Sequence, residues 1–342
     1  MTDVETMDDL ARSTVADARW FPLRFNVQTR EFHFAFIPAE VHREIAFLKD
    51  VKPGPADMRA LPWSAVSSAS IRGLELHLIL HSGLGGSTLL ARALGQPGVA
   101  AALQEPPILT DAIAFGLFNS SAESKVLLDD VTRLLSRPLS AGEATLCKMN
   151  SISNGLGASM AAVHSGSQIL CLQTQLEEML ASFASRGIEG RIAGRKLLIG
   201  IRNSRMLPLE LSEKELAEHT DLQLTALSWL SMRKAMLDAA ARFGPERVRS
   251  IRSERLIEDP GTALAAISRH LRLNLDVDEC LASGILDRHA KTGEPFSAKR
   301  RTERIAETLR VHGEEIEPTV NWTRKVAKAT GIAWDLPYPL LG

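Results

Sequence analysis

Residues Leu74–Glu105 read LELHLILHSGLGGSTLLARALGQPGVAAALQE, and the order of residue types in that stretch decides the fold. An apolar run over 74–81 reads as a buried strand. Gly83, Gly85 and Gly86 follow as a turn, Ser87 and Thr88 open an apolar-periodic helix over 87–96, and a second strand over 98–104 ends in Glu105. Strand, glycine turn and helix start in this order build an anion pocket. The glycines permit positive φ and expose consecutive N–H groups, and the helix start adds unpaired amides and the positive end of its dipole. A phosphate or sulfate ester held there needs no side-chain charge.

Working outward, strands are expected at 74–81, 98–104, 144–149, 167–173 and 247–253. Helices are expected at 87–96, 107–118, 123–136, 174–186 and 259–271. A long helix or helix pair covers 212–242, opened by the capping box Ser212-Glu-Lys-Glu215. Near-continuous apolar strands alternating with helices predict an α/β fold of three layers, a parallel sheet of about five strands with helices on both faces. The crevice of such a sheet lies at the carboxyl ends of its strands, where the glycine turn falls. Before it, Glu31–Ile37 alternates with Phe32, Phe34 and Phe36 on one face, a half-buried strand, and a short helix runs from 38 to about 49. The chain divides into an N-terminal addition packing on the core (1–70), the P-loop domain (71–305) and a C-terminal helical extension (306–342).

Composition narrows the function classes. A formal net charge of −1 gives no bulk attraction to nucleic acid or to an acidic membrane, and aromatic residues at 5% supply few base-stacking platforms. No nucleic-acid partner is expected. Cys147, Cys171 and Cys280 form no C-x-x-C, and the first two sit in apolar runs where a thiol acts as a small hydrophobe. The histidines form no His-x-x-x-His on any helix and no cluster with cysteine, so no metal site is expected. The acidic start MTDVETMDDLARS has no apolar signal region, and no apolar run is long enough to span a bilayer. A cytoplasmic protein is the expectation.

The turn departs from two common patterns. It lacks the lysine of G-x-x-x-x-G-K-[ST], and Gly83 and Gly85 are followed by Thr88 where G-x-G-x-x-G requires a third glycine. A Gly-x-Ser-x-Gly elbow is absent as well. Instead, three segments in order, Gly85-Gly86-Ser87-Thr88-Leu89-Leu90-Ala91-Arg92-Ala93-Leu94, then Val99-Ala-Ala-Ala-Leu-Gln-Glu105-Pro106, then Val248-Arg-Ser-Ile-Arg-Ser-Glu254-Arg-Leu256-Ile-Glu-Asp259-Pro260, resemble the sulfotransferase superfamily of P-loop proteins. The basic, glycine-containing stretch His289-Ala-Lys291-Thr-Gly293-Glu-Pro-Phe-Ser297-Ala-Lys299-Arg300-Arg301 is similar to a loop that in that family closes over the cofactor's 3′-phosphate. Together the matches span about 75–305.

The resemblance implies transfer of a sulfuryl group from 3′-phosphoadenylyl sulfate (PAPS, leaving PAP) to a hydroxyl or amine of a small molecule or peptide. It places the donor on Gly83, Gly85, Gly86, Ser87 and Thr88, and its 3′-phosphate under Ser182, Lys291 and Arg300. Glu105, at a strand end facing the crevice, is the first candidate for the base that deprotonates the acceptor; its other reading is an N-cap or first-turn acid for the helix after Pro106-Pro107. Lys148, ending the strand Thr145-Leu-Cys-Lys148, can hold the bridging oxygen or the sulfuryl group, or be a solvated lysine past a strand. His81 can supply positive charge or act as a base, or be a hydrogen-bonded core histidine.

Two departures accompany the resemblance. The family's basic residue in the turn aligns with Leu84, or with His81 if the turn is shifted. The arginine expected eight residues before Ser182 is Thr174, or Gln173 if the register slips. An atypical P-loop kinase and a non-catalytic family member that binds nucleotide or a protein partner are the alternatives. Nothing in the sequence specifies the acceptor or an oligomeric state.

Overall fold

In the computed structural model, which describes residues 6–288 and 298–341, the described strands form two sheets. β1 (Trp20–Asn26), β2 (Glu31–Phe36) and β3 (Met58–Pro62) make an antiparallel sheet in the order β1-β2-β3. β4 (Leu76–His81), β5 (Ala100–Gln104), β6 (Ala144–Lys148), β7 (Ile169–Gln173) and β8 (Val248–Arg252) make a five-stranded parallel sheet in the order β5-β6-β4-β7-β8. All five parallel strands fall where they were expected, and the structure trims them by up to two residues at their ends.

The inner strands β4, β6 and β7 are mostly apolar because both faces of the sheet are covered there, whereas the edge strand β8 carries Arg249 and Arg252. Leu76, Leu78 and Leu80 of β4 share one core with Cys147, Ile169 and Cys171, and with Phe25, Phe32 and Phe34 of the antiparallel sheet. The intervening Ile79 packs on the other face with Leu146, Leu170, Leu172 and Ile251, under Leu90 and Leu94 of the helix Ser87–Leu94 and Leu264 and Ile267 of the helix Pro260–His270. The period of two in β4 thus sorts side chains between two cores. The architecture is the three-layer α/β sandwich that the alternation predicted.

Polar anchors fix the antiparallel sheet to the first of these cores. Asp111 accepts both Nε and Nη2 of Arg24 at 2.8 Å and the Phe25 amide at 2.8 Å. Asp130 accepts Trp63 Nε1 at 2.9 Å and Ser67 Oγ at 2.6 Å. The Arg137 guanidinium donates to the carbonyls of Leu134, Thr14, Val15, Asp17 and Trp20, and burial pushes it down to about 10. The thiols of Cys147 and Cys171 are free and buried, and burial pushes both up to about 12, so they are inert packing groups.

Several sequence expectations need correction. The helix after Pro38 stops at Glu44, and only a single 3₁₀ turn, Leu48–Asp50, follows it toward 49. The segment 212–242 takes the second of its two expected forms, a helix pair, Glu213–Glu218 and Asp221–Arg247, because Thr220 starts a second capping box; Gly244 at φ 67 kinks the second helix near its end. β1, β3 and the helix Gly187–Asn203 were not anticipated. The C-terminal region is helical from Ala298 to Ala329 and then irregular, with turns and bends. Gly331 at φ 68 ends the helix, and the Pro337-Tyr-Pro339 run cannot resume it. Tyr338 O accepts the Ser250 amide at 2.9 Å and the Leu340 amide reaches Ser250 O at 2.8 Å, which extends the parallel sheet beyond β8. Among the described residues no helix is long and apolar enough to cross a membrane.

Two buried histidines set an acid limit to this fold. His42 and His77 are 3% exposed, and burial, assisted by Arg43 and Arg137 at His42 and by Arg272 and His270 at His77, pushes each down to about 4. A depressed imidazole pKa means that the unfolded chain binds the proton first. The stability is whole above the ordinary value of 6.5 and is lost as pH falls through the folded values. Each site contributes up to about 3 kcal/mol to that loss. His42→Leu is expected to flatten the decline in urea midpoint between pH 7 and pH 4.5; a variant that declines as steeply as the wild type would remove His42 from the cause.

Candidate functional site

The glycine loop leaves the carboxyl end of β4, the central strand of the sheet. Gly83 at φ 83, Leu84 at φ 56 and Gly86 at φ 79 are left-handed. Gly85 is not, contrary to expectation, and its requirement is space: a Cβ there would lie 2.1 Å from Thr174 Oγ1 and 3.0 Å from Ser253 Cβ. Leu84 takes the left-handed turn that a glycine would take without strain, and it projects its half-exposed side chain at the tip. Gly86 is the N-cap of the helix Ser87–Leu94 and offers its first-turn amides no side-chain acceptor. Ser87 and Thr88 are buried residues of that first turn. An anion arriving there meets N–H groups, two hydroxyls and the positive end of a helix dipole.

Both flanking strands brace the loop. From β7, the Thr174 amide donates to Ser82 Oγ at 2.7 Å and Thr174 Oγ1 donates to Gly83 O at 2.9 Å. The Thr174 carbonyl is in turn held by Trp229 Nε1 at 2.9 Å. From the β6 side, His81 Nδ1 accepts the Gly83 amide at 3.0 Å, which places the ring proton on Nε2, 2.8 Å from Met149 O. Asn154 Nδ2 caps the His81 carbonyl at 2.8 Å. With both ring nitrogens committed to backbone groups, His81 shapes the turn, and the charge or base role entertained for it has no free nitrogen to act through.

Beside the loop, at the carboxyl ends of the next two strands, lie the other two expected residues. Glu105 follows β5 in a left-handed conformation, φ 53, and its amide donates to Lys148 O at 2.9 Å. Lys148, the last residue of β6, is 1% exposed. Its Nζ pairs with Glu105 Oε1 and sits 5.4 Å from the centre of the Phe47 ring. The Glu105 side chain keeps 20% of its surface in solvent. The helix Ile108–Phe118 is instead N-capped by Pro107, with no side-chain cap, so the capping role considered for Glu105 is not the one the structure shows. Lys148 is likewise no solvated strand end. A carboxylate that keeps an edge in solvent and is held by a buried ammonium can take a proton from an incoming group, while the ammonium offers positive charge to developing negative charge.

Of the residues expected around a 3′-phosphate, Ser182 and Arg300 stand on two helices that an ion pair joins. Ser182 is in the last turn of the helix Leu176–Ala184, and its carbonyl accepts Arg186 Nε at 2.9 Å. Lys291 lies outside the described residues. Arg300 is exposed in the first turn of the helix Ala298–Ala329, and the neighbouring Arg301 is tied to Glu178 Oε2 at 2.8 Å. At the alternative register, Gln173 Oε1 accepts Arg233 Nη1 at 3.1 Å; Arg233 is 3% exposed, donates to Ala333 O, and is pushed by burial down to about 10. Arg92 has turned away from the loop to the Glu44 carbonyl at 2.7 Å.

Sequence reasoning missed the support under the loop: Ser82, Thr174, Asn154 and the pair Ser253-Glu254. Ser253 is fully buried against Gly85 with its hydroxyl lacking a hydrogen-bond partner, and burial raises the Glu254 carboxyl above the ordinary carboxylate range, with Glu178 adding to the rise. Hydroxyl residues ending adjacent strands beside a glycine turn were the available signal. Among the described residues no group of three or more His, Cys, Asp or Glu is placed to hold a metal ion.

No protein-family model matches the chain, and no curated protein does. Solved structures do match. A sulfotransferase domain from the curacin biosynthetic pathway is 14% identical with a TM-score of 0.39, the match covering 70% of this chain and 98% of that one. The sulfotransferase domain of the Synechococcus PCC 7002 olefin synthase is 14% identical at a TM-score of 0.39, covering 78% and 97%. A sulfotransferase from Alicyclobacillus acidocaldarius is 14% identical at 0.37, covering 70% and 97%. At identities and TM-scores this low, the chemistry assigned to the site rests on the residues above. The chain is similar to sulfotransferase domains in structure.

Proposed function

We propose that the protein is a sulfotransferase that moves a sulfuryl group from 3′-phosphoadenylyl sulfate to a hydroxyl or amine of a small molecule or peptide. The observation that carries the reading is the Glu105–Lys148 pair at the carboxyl ends of β5 and β6, next to the uncapped helix start that follows β4. The donor, when bound, supplies the activated sulfuryl group. The amides of Gly85, Gly86, Ser87 and Thr88, with the two hydroxyls, suit its phosphosulfate end. Glu105 takes the acceptor's proton, and Lys148 orients that carboxylate and offers charge to the group in transfer. His81 and Thr174 are positioning residues that hold Gly83. The site's residues fit the phosphosulfate end better than the 3′-phosphate, where no arginine stands at 173 or 174.

That mismatch favours a second reading, a protein that binds nucleotide without transfer. Thr174 Oγ1 and Gln173 Oε1 are both committed within the protein. Calorimetric titration with adenosine 3′,5′-bisphosphate, beside ATP with magnesium, tests both. Binding of the bisphosphate, with transfer that persists in a chelator, is the expected result. Glu105→Gln is expected to keep that binding and to lose turnover by about two orders of magnitude or more. Bisphosphate binding without transfer to any acceptor would establish the second reading, and binding of ATP with magnesium alone would replace both by a kinase.

A further inference from the structure

At the edge of the parallel sheet opposite the glycine loop, a cavity of about 360 Å³ opens among the amino ends of β7 and β8 and the ends of two helices. Gln168, just before β7, forms its floor, and Arg249 of β8, Arg269 and His270 of the helix Pro260–His270, and Arg272 beyond that helix line its walls, with Glu246 as the one carboxylate in the lining. The five residues of β7 separate it from the loop by about 16 Å. A single cation at a helix C-terminus is accounted for by the helix dipole. Three guanidinium groups and an imidazole converging on one cavity are not.

These arginines are held for something other than each other. Arg249 is fixed by its Nε on Tyr338 O at 3.2 Å and its Nη2 on Pro339 O at 2.8 Å, so the C-terminal segment presents its guanidinium to the cavity. Arg272 occupies a left-handed conformation, φ 55, to turn the chain beside it. Among the described residues none of Arg249, Arg269 and Arg272 has a carboxylate in ion-pair range, whereas Arg24, Arg43, Arg191 and Arg301 each do. Their field is felt nearby: after burial, Arg249 and Arg272 push His270 below the ordinary imidazole range. Arg272 also adds to burial at His77 and, after Arg242, at Arg247. Like charges gathered in a partly desolvated hollow repel one another unless an anion joins them.

The geometry points to a second anion site, in which Arg249, Arg269 and Arg272 bind a small phosphate- or sulfate-bearing ion at the amino edge of the sheet, separate from the glycine loop. The guanidinium fork matches the tetrahedral oxygens of such an ion, and the volume admits a diphosphate group. His270, with Nε2 on Ile169 O at 2.9 Å, keeps its ring anchored at the cavity wall.

Pyrophosphate is the probe. Calorimetric titration of the wild-type chain is expected to show a binding event that weakens about tenfold or more in the double variant Arg269→Gln, Arg272→Gln. On the wild-type chain, pyrophosphate is expected to protect Arg269 and Arg272 from phenylglyoxal, read peptide by peptide by mass spectrometry. That second measurement needs no variant to fold. A double variant that melts and titrates as the wild type does, or equal modification of both arginines with and without pyrophosphate, would overturn the site. Because the readout lies in the arginines, the result is independent of whether the loop binds a sulfuryl donor.

Discussion

Gly85→Ala is expected to weaken adenosine 3′,5′-bisphosphate binding by about a hundredfold and to lower the melting temperature, although a single methyl is added. The methyl would sit 2.1 Å from Thr174 Oγ1 and 3.0 Å from Ser253 Cβ, and both neighbours are buried. Thr174 cannot rotate away without releasing Gly83 O, and its amide is held by Ser82. The loop must therefore move, and its amides lose their common aim. Overpacking of this kind costs about 1–3 kcal/mol, and misdirected amides forfeit the anion. Gly83→Ala makes the contrast. Its added methyl finds its nearest neighbour, Ser151 Oγ, at 3.8 Å, so the cost is only that of φ 83, about 1–2 kcal/mol. Isothermal titration of the two variants side by side is the measurement. If Gly83→Ala proves the more damaging, backbone conformation rather than the Thr174 contact governs the loop.

The Glu105–Lys148 pair predicts an asymmetry in stability. Glu105→Ala leaves an ammonium that is 1% exposed with its carboxylate gone and the Phe47 ring beside it, an expected loss of about 3 kcal/mol. Lys148→Met leaves a carboxylate with 20% of its surface in water, and a methionine of similar shape fills the strand end, so about 1 kcal/mol is expected. The double variant Glu105→Ala, Lys148→Met is expected to be more stable than Glu105→Ala alone, with a coupling of about 2 kcal/mol in the cycle. Urea denaturation of the four proteins reads all of this. Additive losses would mean that the two charges are solvated independently, and the role given to Lys148 in orienting the base would go with them.

Most of the parallel sheet was readable because β4, β5, β6 and β7 are buried on both faces and read as largely apolar runs. β1 hid because Pro22 interrupts it and the register slips between Pro22 and Arg24, which destroys the alternation that revealed β2. The helix Gly187–Asn203 hid behind its glycines, residues that argue against a helix. The structure shows why they are there: a Cβ on Gly194 would stand 2.1 Å from Thr225 Oγ1 of the long helix packed against it. Local propensity was overridden by a close helix crossing that lies 31 residues away in sequence. In the site, the glycine turn and the strand-end residues Glu105 and Lys148 were legible one by one. Their pairing was not, because it depends on β6 lying between β4 and β5, a matter of topology. Nor does the type of residue at 81 or 174 reveal that its side chain faces the backbone of the turn.

That strand order also fixes when the parts can meet. A chain made from its amino end completes β4 and then β5, yet the two are never neighbours. β5 waits for β6 to slot between them, and Glu105 meets its lysine only after 43 further positions have been synthesised. β8 waits longer for its outer cover, since Ser250 Oγ donates to Pro337 O, 87 positions downstream. Until Lys148 is made, a nascent chain carries a glycine turn that still lacks its braces from Met149, Asn154 and Thr174, no charge pair beside it, and strand edges open to one another and to other chains. The turn is therefore braced only after the partners of the charge pair have both been made. The residues that complete the hollow at the far edge of the sheet, through Arg249, arrive after both.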